Sequence, residues 1–248
     1  MNITDEIKGT LRHLAMTLAL LCVAAAPAAR ADRLNDKLLN RPYSDMRRWH
    51  LGFSVGINTF DYSFSHNAFV TEDGHKWFAE QPSFSPGFCV NGLFNLRLND
   101  YFSVRVGPGI YFGNRLVRFR EEITGEEQRQ DIKSAYLVLP VDLKFSAQRM
   151  RNLRPYMTGG VMPAVDVIKK SGGFLKPSAS DFFISIGFGC DLYLPYFKLI
   201  PELKFCFGMT DALQHDRPDL VDDPLRLAVS NSLRRATSKM VVLTFYFE

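Results

Sequence analysis

The chain has 248 residues, of which 46% are hydrophobic and 23% are charged, and its formal net charge is +4. This composition is too polar for a bundle of membrane-spanning helices, and the dispersed basic residues give no support to nucleic-acid binding. The length suits one domain with a core or one β-barrel of medium size, so the residue pattern has to decide between them.

Residues 1–31 have the features of a signal peptide. Lys8 and Arg12 form a basic flank, an apolar run extends over 14–26, and Ala29-Arg30-Ala31 supplies small residues for cleavage. The apolar run is shorter than the roughly 20 residues that a membrane-spanning helix needs. We therefore expect cleavage after Ala31 and an exported mature chain.

Cleavage leaves three cysteines: Cys89, Cys190 and Cys206. An odd number gives no complete disulfide framework, and their spacing matches no metal site. We expect them to be small side chains buried within strands, and we expect neither a metal nor another cofactor.

Eight segments of the mature chain alternate between apolar and polar residues with the period of a β-strand. They cover residues 49–58, 88–98, 102–112, 135–145, 155–167, 182–194, 199–207 and 241–247. In the first segment, for example, Leu51, Phe53 and Val55 share one face. Strands of about ten residues that alternate in this way are typical of outer-membrane barrels. The sequence therefore predicts an all-β fold in residues 49–248, an eight-stranded antiparallel transmembrane β-barrel.

The connections between these segments are short on one side and longer on the other. The short ones are 99–100, 146–154 and 195–196, whereas the longer ones are 59–85, 114–133, 169–181 and 210–239. Because outer-membrane barrels have short periplasmic turns and long external loops, both mature termini are predicted to lie in the periplasm. The expected location is the outer membrane of a Gram-negative cell, in contact with lipid and lipopolysaccharide.

Aromatic residues near the predicted strand ends suggest interface girdles. They are Trp49, Tyr101, Phe145, Tyr156, Tyr196 and Phe197. The final Phe245-Tyr246-Phe247 resembles the carboxy-terminal aromatic signal that barrel assembly machinery recognises.

Seven charged residues have the parity that points into the barrel. They are Arg97, Arg105, Asp142, Lys144, Asp191, Glu202 and Lys204. An eight-stranded barrel has a lumen just wide enough for side chains to fill it, and charges buried there need partners. We therefore predict a structural, salt-bridged plug; a proton or ion path is the alternative.

The mature histidines are His50, His66, His75 and His215. None lies in a metal-binding pair, and the chain has no Gly-x-Ser-x-Gly elbow. We therefore expect no catalytic site, no enzyme activity and no small-molecule substrate, with a lipid-modifying barrel enzyme as the less favoured reading.

The last predicted loop contains a candidate helix. Asp223 suits an N-cap, Pro224 suits the first helical position, and Leu225, Val229 and Leu233 follow at helical spacing. The apolar stripe predicts a cap over the barrel mouth or a seat for a partner.

Residues 32–48 precede the barrel and are too polar to insert into a membrane. The candidate partner-binding residues are Arg41, Pro42, Tyr43, Arg47, Arg48 and Trp49. Their arginines suit phosphates or the acidic surface of a partner, and a basic membrane-proximal anchor is an equal alternative.

The stretch NRPYSDMRRWHLGF at residues 40–53 resembles the motif that opens the barrel in PorT-family proteins. The similarity continues through Leu139-Pro140-Val141 to the aromatic carboxy terminus. It implies an outer-membrane accessory component of the type IX secretion system, needed for assembly or function of the translocon that exports sorting-domain cargo, and gliding adhesins where present. Other components of that system would be its partners. A generic small barrel for envelope integrity or adhesion is the alternative.

Overall fold

The computed structural model describes residues 40–42, 44–66, 77–80, 85–121, 127–168, 178–212 and 233–248. These residues lie in one compact unit, Asn40–Glu248. The predicted signal peptide, Tyr43, His75, His215 and most of the candidate helix after Asp223 lie outside the described residues. Within the described ranges, no helix has the length and apolar character needed to cross a membrane.

Antiparallel strands make up nearly all of the described chain. The strands are β1 (Trp49–His66), β2 (Trp77–Glu80), β3 (Pro86–Arg97), β4 (Phe102–Val106), β5 (Gly109–Glu121), β6 (Glu127–Val138), β7 (Val141–Ser146), β8 (Leu153–Asp166), β9 (Ser180–Tyr193), β10 (Lys198–Gly208) and β11 (Leu233–Phe247). A 3-10 turn, Ser44–Met46, precedes β1.

The strands close into a barrel because β8 pairs with β9 over nearly its full length and so joins the two ends of the sheet. β4 and β5 form one continuous run beside β3, and β6 and β7 form another beside β8. The short β2 adds only to the far end of β5. The described wall therefore has eight antiparallel runs, and the predicted fold is confirmed.

Each of the two interruptions in these runs contains a proline, Pro108 or Pro140, which has no N–H to donate to a neighbouring strand. The wall remains hydrogen-bonded there because the proline carbonyls accept instead. Gly92 N–H donates to the Pro108 carbonyl at 2.8 Å, and Gly107 N–H donates to the Pro140 carbonyl at 3.1 Å.

The two faces of the wall differ as the alternation predicts. On β7, Val141 and Leu143 are exposed on the outer face, whereas Asp142 and Lys144 are buried on the inner face. On β1, Leu51 and Phe53 are 61% and 55% exposed, and the intervening inner positions face the lumen. A continuous exposed apolar surface of this kind is suited to lipid rather than to water.

Several strands extend beyond their predicted ends into segments expected to be loops. β1 continues past Asn58 to His66, β11 begins at Leu233, and β5 and β6 occupy much of 114–133. In these extensions the pattern inverts: Phe60 and Tyr62 are buried inside, while Asp61 is exposed outside. A rule that looks for apolar residues on the outer face therefore ends each strand too early.

One end of the barrel, termed the short-turn end, carries the turns at 98–101, 147–152 and 194–197. The segment 40–48 and Glu248 lie at the same end, since Asn40 contacts Asn152 and Arg41 contacts Glu248. The assignment of this end to the periplasm stays a prediction.

Candidate functional site

Six of the seven predicted lumen charges lie together in the half of the lumen nearer the short-turn end, and they are termed the charged layer. Its members are Arg105 on β4, Asp142 and Lys144 on β7, Asp191 on β9, and Glu202 and Lys204 on β10. Each side chain is almost completely buried. Their strands alternate strictly, so the inward parity alone brings them to the same space.

Every member of the charged layer has an oppositely charged partner. Arg105 Nη1 lies 2.5 Å from Glu202 Oε2, and Lys204 Nζ lies 2.5 Å from Asp142 Oδ2 and 3.3 Å from Glu202 Oε1. Lys144 Nζ donates to both Asp191 oxygens at 2.7 and 2.8 Å. Paired charges of this geometry offset their loss of hydration, which unpaired charges in the same place would not.

Hydroxyl groups and aromatic rings complete the layer. The Tyr156 hydroxyl donates to Glu202 Oε2 at 2.6 Å, and the Ser185 hydroxyl donates to Asp142 Oδ1 at 3.0 Å. The Lys144 ammonium also lies 3.9 Å from the centroid of the Tyr156 ring. A side chain at Gly189 would collide with the Tyr156 hydroxyl, so the glycine makes room for this ring.

The expectation that Tyr156 lies in an interface girdle is wrong. Its ring is 4% exposed and points into the lumen. The neighbouring Met157 faces outward, so the parity of β8 itself required Tyr156 to face inward.

Arg97 departs from the predicted network. It has the inward parity but lies at the very end of β3, where its guanidinium bonds to Asp100 and to the Asn99 carbonyl in the following turn. The structure therefore places Arg97 at the rim of the barrel, separate from the charged layer.

Sequence reasoning missed a second ionic group at the short-turn end. Lys198 Nζ and His50 Nδ1 each lie 2.8 Å from Glu248 Oε1. Lys198 Nζ also lies 3.8 Å from Asp191 Oδ2, which connects this group to the charged layer. Burial raises the pKa of Glu248, but the His50 hydrogen bond and the Lys198 charge outweigh burial and hold that pKa below its usual range.

The other half of the lumen is filled by apolar and aromatic side chains and is termed the apolar layer. Its members are Phe60, Cys89, Tyr111, Tyr136, Val138, Met162, Ala164, Phe183, Cys206, Met240 and Val242. The rings of Phe60 and Tyr136 stack at 5.3 Å. Cys89 and Cys206 are buried here as free thiols, while Cys190 is a half-buried free thiol. The two layers lie in series along the barrel axis.

The described residues of the segment 40–46, termed the strap, are anchored at the short-turn end. The Arg149 guanidinium donates to the carbonyls of Asn40 and Arg41 and to Asp45, and it lies 3.6 Å from the centroid of the Tyr193 ring. The Tyr193 hydroxyl donates to Asp45. Arg41 adopts a positive φ of 46°, which turns the chain back toward β1.

The predicted partner-binding residues fall into two groups. Arg41 holds the strap in place, since its Nη1 donates to the Glu248 carbonyl at 2.9 Å. Pro42, Arg47, Arg48 and Trp49 are exposed, and Tyr43 lies outside the described residues.

In the described ranges, no group of three or more His, Cys, Asp and Glu side chains is placed to hold a metal ion. His50 is engaged with Glu248, and the side chain of His66 is not described.

A closed antiparallel barrel with an apolar outer wall and an ionic lumen defines a transmembrane β-barrel of the outer-membrane type. Residues 35–214 match a family described as outer membrane protein beta-barrel domain, and the chain belongs to this family. The chain is accordingly an outer-membrane protein.

Several solved outer-membrane barrels are similar to this chain at low sequence identity. The N-terminal β-barrel domain of Pseudomonas aeruginosa OprF is 13% identical, with a TM-score of 0.36, and the match covers 78% of this chain and 97% of that one. OprG from Pseudomonas aeruginosa is 11% identical, with a TM-score of 0.43, and the match covers 79% of this chain and 91% of that one. Neisserial surface protein A is 9% identical, with a TM-score of 0.40, and the match covers 81% of this chain and 98% of that one. The search of curated proteins finds no match.

Proposed function

We propose that this barrel is a non-enzymatic accessory component of the type IX secretion system, related to PorT proteins, that supports the assembly or function of the translocon. It acts through protein contacts rather than by conducting cargo. The motif at residues 40–53 that resembles PorT proteins supports this proposal, together with the filled lumen.

The filled lumen supports a role other than conduction. Cargo proteins cannot pass a barrel whose interior is occupied by an apolar layer and an ionic layer in series. A barrel without a passage acts through its surfaces. At the short-turn end, the anchored strap provides such a surface.

The single observation that carries the proposal is the anchored strap. A tether that merely connects a signal peptide to a barrel does not need a buried arginine to hold it. The strap is nevertheless held by the buried guanidinium of Arg149, which bonds to Asp45 and to the Arg41 carbonyl. Anchoring keeps Pro42 exposed in a fixed position. We assign the partner contact to this outer face of the strap.

The test is complementation of a deletion strain of the bacterium that carries the gene. Deletion is expected to abolish release of sorting-domain cargo, and the wild-type gene is expected to restore it. Arg149→Ala, which removes the arginine contacts to Asn40, Arg41 and Asp45, should restore release poorly. Lys133→Gln, an exposed change on β6, is the matched control and should restore release fully.

The amount of each variant in the outer membrane and its heat-modifiability on a gel show whether the barrel has folded. Normal release of cargo from the deletion strain would overturn the secretion role. Full rescue by Arg149→Ala at wild-type abundance would overturn the role of the strap.

A further inference from the structure

An open cleft of about 530 Å³ lies beside the first residues of β1 at the short-turn end. It is lined by Arg41, Arg47, Arg48, Trp49, His50, Leu51 and Glu248. None of the six members of the charged layer lines it.

The cleft follows from the strand register. β1 begins at Trp49, but its first pairing with β11 is Phe53 with Phe247. On the other side, β3 pairs with β1 from Trp49 onward. In the described chain, the first four residues of β1 therefore have a strand neighbour on one side only, and the cleft occupies the other side.

The lining has two chemical characters. Trp49 and Leu51 are 58% and 61% exposed and continue the lipid-facing surface of β1. Arg47 and Arg48 precede them and are also exposed, without a carboxylate partner among the described residues. Four other arginines of this end differ, because Arg41, Arg97, Arg149 and Arg154 bond to carboxylates or carbonyls.

We propose that this cleft is a binding site for an anionic phospholipid of the adjacent leaflet. Arg47 and Arg48 bind the phosphate of the headgroup, and an acyl chain lies along Trp49 and Leu51. Guanidinium groups bind phosphate oxygens with good geometry, and tryptophan favours the boundary between headgroups and acyl chains. An acidic protein surface would satisfy the arginines but not the lipid-facing Trp49 and Leu51. The site is independent of the proposed secretion role.

The chain has only two tryptophans, Trp49 and Trp77, which makes a direct test feasible. In a Trp77→Phe variant, the fluorescence comes from Trp49 alone. The variant is reconstituted in vesicles of phosphatidylcholine that contain increasing fractions of brominated phosphatidylglycerol or, separately, brominated phosphatidylcholine. Quenching of Trp49 then gives the relative affinity of the cleft for the two lipids.

We expect a preference for phosphatidylglycerol of about tenfold, since each of the two arginines near an anionic lipid contributes about fivefold or less. Arg47→Gln/Arg48→Gln should reduce the preference to about one. Lys133→Gln/Lys239→Gln removes the same charge from exposed positions elsewhere on the barrel and should leave the preference unchanged.

Equal quenching by both lipids in the parent variant would overturn the proposal. An equal loss of preference in the two double variants would also overturn it, since the effect would then reflect overall charge. Native mass spectrometry of the chain with both tryptophans provides a second measurement: retained phosphatidylglycerol should be lost only in Arg47→Gln/Arg48→Gln. Retention by that variant contradicts the site.

Discussion

The two halves of the lumen exclude water in different ways. The apolar layer, around Met162 and Phe183, is stabilised by close packing, and its members have few directional requirements. The charged layer, around Arg105 and Glu202, depends on ion pairs that must each be satisfied. The first therefore tolerates changes that preserve volume, whereas the second tolerates changes that preserve charge pairing. Because the two layers lie in series, we expect either layer alone to keep the barrel closed.

The largest expected effect comes from breaking the charged layer at its centre. Glu202→Ala leaves Arg105 without its ion-pair partner and deprives Lys204 of one of its two. Loss of one member of a buried pair costs about 3–5 kcal/mol, so the free energy of unfolding should fall by that amount. Urea unfolding of the barrel in lipid vesicles, followed by heat-modifiability, measures it.

The control replaces both members of the pair. The free energy of unfolding of Arg105→Met/Glu202→Met should be closer to that of the wild type than that of Glu202→Ala, because no unpaired charge is left at position 105 and the space remains filled. A double variant less stable than Glu202→Ala would contradict the importance of pairing in this layer.

A slightly smaller effect is expected from the apolar layer. Met162 is fully buried, and Met162→Ala should lower the free energy of unfolding by about 2–5 kcal/mol because it removes contacts and leaves a cavity. Single-channel recordings in planar bilayers should still show no conductance, since the charged layer remains in place. Conductance in this variant alone would show that the two layers do not close the barrel independently.

Release of the strap should affect global stability less than either lumen variant. Arg149→Ala removes the bonds to Asn40, Arg41 and Asp45, which lie outside both layers. We expect a loss of about 1–2 kcal/mol or less in the free energy of unfolding. Trypsin should cleave after Arg47 or Arg48 faster than in wild type, because the strap no longer holds them. Unchanged cleavage would show that the strap is held by its other contacts.

The sequence predicted the charged layer better than the apolar one, for a physical reason. Strict alternation in the membrane-spanning parts of the strands assigns Asp142 and Lys144 to the lumen without any knowledge of their partners. Buried Phe60 lies where the strand leaves the apolar band, so its outward neighbour Asp61 is polar and the expected pattern inverts. In this part of the strand, an apolar residue on the inner face cannot be told from the sequence apart from an apolar residue on the outer face.

Contacts between distant segments could not be predicted from one sequence. Glu248 meets Lys198 and His50 because the last strand lies between the strands that carry them, which only the closed register reveals. The strap contacts of Arg149 join residues more than a hundred positions apart. The inward position of Lys198 could have been predicted from the sequence, since Lys198 shares the parity of Glu202 on β10.

The smallest effects are expected from two conservative substitutions, one in each layer of the lumen. Ser185→Ala removes the hydrogen bond to Asp142, which retains its ion pair with Lys204, so we expect a loss of about 1 kcal/mol in the free energy of unfolding. Met162→Leu preserves volume in the apolar layer and should cost less than about 1.5 kcal/mol. Added salt should leave both differences nearly unchanged, because Met162→Leu involves no charge and the buried pair of Asp142 and Lys204 is weakly screened. A strong salt dependence of Ser185→Ala would mean that water reaches Asp142, which contradicts a closed charged layer.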